Sequence, residues 1–164
     1  MTTTITLIEK FTNTKTYNYN QLQTIAEGLR DGLDISWYAN PKLIYPQMFR
    51  ILNGLRDGLD VSWYADPKFS WDQMEIIYRG LKKGLDVSKY ADERFDAWQM
   101  GEILRGLELG LDVTIYANQQ YTPLKMYEII EGLEKGLDVT AYANPKYTTF
   151  QMRKIREQLE EESK

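Results

Sequence analysis

The chain has 164 residues, with 20 basic and 24 acidic side chains, a formal net charge of −4, and neither histidine nor cysteine. That length suits one domain with a core of its own, and a mildly acidic surface of mixed sign argues against a nucleic-acid or membrane footprint. The missing residue types exclude disulfides, zinc fingers, thiol nucleophiles, histidine bases and the usual transition-metal ligands.

The opening residues, "MTTTITLIEKFTNTK", have no basic n-region and no long apolar run, so they do not read as a signal peptide. Rich in Thr and Tyr with partial alternation, residues 1–17 read as an N-terminal β-hairpin cap. No window approaches the 18 apolar residues of a membrane span, so the expected location is cytoplasmic.

From Asn18 onward one pattern returns. Copies of "GLRDGLDVSWYA" begin at Gly28, Gly54, Gly80, Gly106 and Gly132, a strict 26-residue step. A half-copy precedes the first, with Asn18 and Gln21 as a capping box before Leu22 and Ile25. In the segment from Phe69 to Val87, Ser70 and Gln73 repeat that box. Met74, Ile77, Tyr78 and Leu81 then follow at i, i+3, i+4 and i+7, the stripe of an α-helix. Asp96 before Gln99 and Thr148 before Gln151 act alike, and Thr122 caps with Pro123 at the first helical position. Ile44 and Pro46 break the rule and predict a looser start. Long helices are expected near 19–31, 45–57, 71–83, 97–109, 123–135 and 149–163.

The second glycine of each copy (Gly32, Gly58, Gly84, Gly110, Gly136) supplies the left-handed residue that ends the long helix. The leucine after it opens a buried turn. The following aspartate (Asp34, Asp60, Asp86, Asp112, Asp138) caps a short second helix, which ends at the Asn/Asp-Pro step in three copies. The first glycine lies inside the last turn of the long helix at a cost of about 1 kcal/mol against Ala, and close approach of the neighbouring helix is its expected use. Units that cannot bury their own stripe must stack. The expected fold is therefore all-α, a right-handed-type αα-solenoid of about five 26-residue repeats over 18–157, closed by the charged helix end 158–164.

The five aspartates recur about a helix-pair width apart, roughly 10 Å, which suits capping and not a convergent calcium loop. No P-loop or dinucleotide fingerprint occurs, and no carboxylate pair stands out. Catalytic, cofactor-binding and metal residues are accordingly assigned to none, and the chain reads as no enzyme. The informative positions are those where the copies differ. The residue before the recurring Tyr reads Trp37, Trp63, Lys89, Ile115 and Ala141. The first turn of the long helix reads Tyr45-Pro46, Trp71-Asp72, Ala97-Trp98, Pro123-Leu124 and Thr149-Phe150. Exposed aromatics are favoured interface residues, so Trp37, Trp63, Tyr45, Trp71 and Trp98 are the candidate partner-binding set. Packing of these rings between repeats is the alternative.

"GLDVSWYADPKFSWDQMEII" and "GLDVSKYADERFDAWQMGEIL" resemble the GLDVS-x-YA helical-repeat arrays of proteins from Firmicutes phages and mobile elements, over Asn18 to about Gln158. Copy four departs at Gln119-Gln120 and Lys125, and copy one at Ile44-Tyr45-Pro46. The resemblance implies a mobile-element setting, in which small proteins act on host defence. The expected function is a protein-binding scaffold that inhibits or modulates its target, as an anti-CRISPR or related counter-defence factor does. A homodimer through an aromatic face fits the same features. Nucleic-acid binding is the alternative from another class, ranked lower because basic and acidic residues are interleaved as in Arg30-Asp31 and Arg56-Asp57.

Overall fold

The computed structural model describes residues 16–163, so the β-hairpin expected of residues 1–17 lies almost wholly outside the described residues. Those residues hold six α-helices and no strand: α1 Tyr19–Arg30, α2 Tyr45–Arg56, α3 Trp71–Lys82, α4 Ala97–Glu108, α5 Pro123–Glu134 and α6 Thr149–Glu162. Each stops one residue short of its expected end because that residue is the C-cap. The chain divides into two compact units, residues 1–84 and 85–164. In the first, α2 packs on both α1 and α3; in the second, α5 packs on both α4 and α6. Neighbouring helices thus pack in series, as a helical repeat requires.

Local chemistry explains where each helix begins. Asn18 Oδ1 accepts from the Gln21 N–H at 3.0 Å while Gln21 Oε1 accepts from the Asn18 N–H at 2.8 Å. Ser70–Gln73, Asp96–Gln99 and Thr148–Gln151 form the same reciprocal pair. Ile44 has no side-chain cap, yet Gln47 Oε1 still accepts from its N–H at 2.9 Å, so half the box survives. The expected Thr122 side-chain cap is not formed; the Lys125 N–H bonds to the Thr122 carbonyl instead. Lysine at that place has no acceptor to complete a box.

The glycines that end the helices have φ of +68 to +71°. They close a Schellman turn in which, for example, the Leu33 N–H bonds to the Gly28 carbonyl at 2.9 Å. The leucines are half-buried and not fully enclosed as expected. Beyond them the chain makes not a short α-helix but a single 3₁₀ turn, at Ile35–Trp37, Val61–Trp63, Val87–Lys89, Val113–Ile115 and Val139–Ala141. The reason is the next residue. Tyr38 leaves the helical region at φ −136° and swings its ring back against the long helix, so the turn cannot propagate.

That tyrosine also corrects the reading of the first glycine. A Cβ on Gly28 would sit 1.8 Å from the Tyr38 hydroxyl, and one on Gly54, Gly106 or Gly132 would meet Tyr64, Tyr116 or Tyr142 within 1.9 Å. The close approach comes from the repeat's own tyrosine and not from the neighbouring helix. Tyr38, Tyr64, Tyr116 and Tyr142 are all fully buried, and burial pushes their hydroxyls well above the ordinary phenol range. Met48, Ile51 and Met74 in the first unit and Met100, Ile103, Met126 and Ile129 in the second are among the other fully enclosed side chains.

The capping glutamines have a second task. Gln21 Nε2 donates to the Leu43 carbonyl at 2.7 Å, Gln47 Nε2 to Phe69 at 2.6 Å and Gln99 Nε2 to Tyr121 at 2.8 Å. One buried amide therefore caps its own helix and grips the backbone just ahead of the next, a direct source of the fixed 26-residue step. In copy four Lys125 replaces the glutamine and its ammonium reaches the Pro145 carbonyl at 2.6 Å. Tyr17 belongs to this joint too: its hydroxyl donates to the Ala39 carbonyl at 2.7 Å, as Tyr121 does to Ala143 at 2.6 Å.

Candidate partner-binding surface

Two kinds of element carry the five candidate aromatics. Trp37 and Trp63 stand at the same place in successive 3₁₀ turns, each preceded by an aspartate whose Oδ1 holds the turn. Asp34 Oδ1 accepts from the Ser36 N–H at 3.0 Å, and Asp60 Oδ1 from the Ser62 N–H at 3.1 Å and the Ser62 hydroxyl at 2.5 Å. The turn's backbone and its buried tyrosine are thereby fixed, and the residue between them projects outward: Trp37 is 41% exposed and Trp63 39%. Tyr45, Trp71 and Trp98 open the long helices at the other end of the repeat, at 38%, 40% and 79% exposure.

Among the described residues no ring contact joins two of these five; their neighbours are other side chains. Tyr45 meets Phe49 one turn along α2, ring centroids 5.9 Å apart. The Arg50 guanidinium lies 6.0 Å from the Trp71 ring and 4.6 Å from that of Tyr78, and it pairs with Glu75. Tyr78 in turn donates to Asp57 Oδ2 at 2.6 Å, joined there by Lys82 at 3.0 Å. Those two donors hold the Asp57 carboxyl below its usual range. Trp71 is thus tied into a polar cluster between α2 and α3, whereas Trp37 and Trp63 make no ring or cation contact among the described residues. Trp98 belongs to the second unit and stands on α4.

Sequence reasoning missed much of the exposed apolar surface. Tyr19 and Phe49 in the first unit and Tyr127 in the second are exposed near the first turns of their helices, and so are Ile44, Leu124 and Phe150, letters noted in the sequence but left out of the candidate set. Phe49 and Tyr127 share one repeat position, four residues after the first-turn residue, so laying the copies in register would have found them.

The aspartate column is committed to structure. Asp86, Asp112 and Asp138 hold Ser88, Thr114 and Thr140 through both N–H and hydroxyl, as Asp60 holds Ser62. Those bonds keep the Asp34, Asp86, Asp112 and Asp138 carboxyls below the ordinary range. Among the described residues no three His, Cys, Asp or Glu side chains are grouped to hold a metal. A shallow depression on α6, lined by Lys154, Ile155, Glu157, Gln158 and Glu161, has mixed charge and none of the candidate aromatics.

Fold and surface together define a class: an all-helical, repeat-like protein whose recurring Tyr and Asp are buried or capping and whose five candidate aromatics are exposed. No helix among the described residues is long and apolar enough to cross a membrane. No family description, curated protein or solved structure matches the chain.

Proposed function

We propose that the chain is a non-catalytic helical-repeat scaffold, an αα-solenoid of five 26-residue repeats, that binds a protein partner through its variable aromatics. One observation carries this reading. The positions that keep their letter from copy to copy are spent on the fold, as buried Tyr, close-packed Gly and capping Asp. The five candidate aromatics, at positions where the letter changes, are 38–79% exposed. Exposed Trp and Tyr in place of polar residues suit a partner and not water. The five aspartates, the natural candidates for catalysis, are each engaged in capping. The mobile-element setting implied by the repeat makes host defence proteins, CRISPR effectors among them, the first targets to assay.

The test is retention of a bacterial partner by the tagged chain, compared with a Trp37→Ala/Trp63→Ala variant whose helicity is checked by circular dichroism. A partner held by the wild type and lost by the folded variant is the expected result. Unchanged retention would remove these tryptophans from the surface, loss on nuclease treatment would turn the reading to nucleic acid, and sedimentation would reveal a second copy as the occupant.

A further inference from the structure

Trp37 and Trp63 each share a 3₁₀ turn with an aspartate only half used. In copies one and two the turn takes Oδ1 of Asp34 and Asp60, and no cation pairs with either carboxylate among the described residues. Copy three shows what the other oxygen accepts. There the tryptophan position is Lys89, whose ammonium stands 3.8 Å from Asp86 Oδ2. A cation at this place in the turn is therefore within reach of the capping carboxylate of its own repeat.

Copies one and two remove that built-in lysine and put an indole in its place, leaving the carboxylates as they were. An exposed indole three residues after a capping carboxylate, at the place where copy three has its lysine, suits one ligand chemistry above others, an ammonium or guanidinium that pairs with the acid and meets the ring. Resting on the scaffold reading above, we propose that Asp34–Trp37 and Asp60–Trp63 are two successive receptor sites for lysine or arginine side chains of a basic partner segment. Lys89 fills the equivalent site of copy three from within the chain. Ile115 and Ala141 leave copies four and five without an indole, so the segment is read by the first unit.

The aspartates permit a clean test, because asparagine caps a helix as well as aspartate does and removes only the charge. Fluorescein-labelled tetralysine is titrated against wild type, Trp37→Ala/Trp63→Ala, Asp34→Asn/Asp60→Asn and the matched control Asp112→Asn/Asp138→Asn, with tetraglutamate as the opposite-charge probe. The first two variants are expected to bind tetralysine roughly tenfold more weakly, through the loss of two exposed cation–π interactions or of their paired charges. The control should change by less than about twofold, and added salt should weaken wild-type binding. Equal loss in both asparagine variants would mean that tetralysine senses net charge alone, and the proposal falls; absence of tetralysine binding also overturns it. If the Trp37→Ala/Trp63→Ala variant still loses a cellular partner in either case, the scaffold reading stands without the cation sites. Should that variant keep both tetralysine and the cellular partner, both readings fall.

Discussion

Residues 1–84 carry 10 basic and 9 acidic side chains, while residues 85–164 carry 10 and 15, which divides the net −4 into +1 and −5. Four of the five candidate aromatics sit in the first unit and one in the second. The joints between helices differ in the same sense. Between α1 and α2, Arg56 pairs with Glu27 at 3.1 Å and Asp31 at 2.7 Å, all about a third exposed. Between α5 and α6, the Glu128 carboxylate is fully enclosed and gripped by Arg153 at 2.8 Å and Arg156 at 3.0 Å. Yet caps, 3₁₀ turns and glycine geometry are alike in both units. A backbone joint made by Gln, Tyr, Gly and Asp leaves the lateral positions free to differ, and that freedom separates an aromatic, near-neutral unit from an acidic one.

The largest effect expected comes from the buried joint. Glu128→Gln removes the enclosed charge that Arg156 and the half-exposed Arg153 share, leaving Arg156 only Glu160, and should cost about 3 kcal/mol in urea unfolding. Glu27→Gln in the exposed joint should cost less than about 1 kcal/mol. Equal costs would erase the distinction between the joints.

Next come the glycines, where the units should agree. Gly54→Ala and Gly132→Ala both drive a Cβ into a buried tyrosine hydroxyl, for about 2 kcal/mol of destabilisation each. A methyl added at Gly101, in α4, would meet nothing within 4 Å, so Gly101→Ala should stabilise by up to about 1 kcal/mol. Stabilisation at all three would show that the tyrosines yield freely. Thermal melts of the three variants decide it.

Gln47→Leu should cost about 1–2 kcal/mol, since the Ile44 N–H and the Phe69 carbonyl lose their partner together. Its signature is local: hydrogen exchange should quicken at the start of α2 and in the link ahead of α3. Protection lost evenly throughout the first unit would assign the glutamine a packing role alone.

Acid sharpens the contrast by the smallest margin. Asp34 and Asp57 in the first unit, and Asp86, Asp112, Asp138, Glu131 and Glu160 in the second, have carboxyls held below their ordinary range by hydrogen-bond donors. Depressed carboxyls lend stability that is complete above the unfolded value near ~4 and is lost as pH falls through the folded values. Glu102, pushed up by burial, works the other way. With five depressed groups against two, amides of α5 and α6 should lose exchange protection at higher pH than those of α1 and α2. The opposite order would break the comparison.

Legibility in the sequence followed the range of each interaction. Asn18 with Gln21, or Ser70 with Gln73, is a contact within one turn, so helix starts could be read from letters three apart. Gly32 and its equivalents marked the ends for the same reason. Thr122 failed because the Lys125 N–H bonds to the Thr122 carbonyl and not to its hydroxyl, a choice that the letters do not display. Of the surface, the outward projection of Trp37 and Trp63 followed from the changing letters, whereas Phe49 and Tyr127 fell outside the windows compared. That a cation can join a carboxylate already capping its turn became visible only in the Lys89–Asp86 pair.

By itself the sequence determined six helices, their limits to within a residue and the 26-residue step, because caps, αL glycines and apolar period act over one or two turns. Only the tertiary structure decided what each glycine accommodates, where each glutamine amide ends and which ion pair is enclosed. Those outcomes join atoms 14 to 28 residues apart, as Tyr38 with Thr24, Gln21 with Leu43 and Arg156 with Glu128. Such separations have no local signature, and the packing of one helix on the next must be in place before they exist.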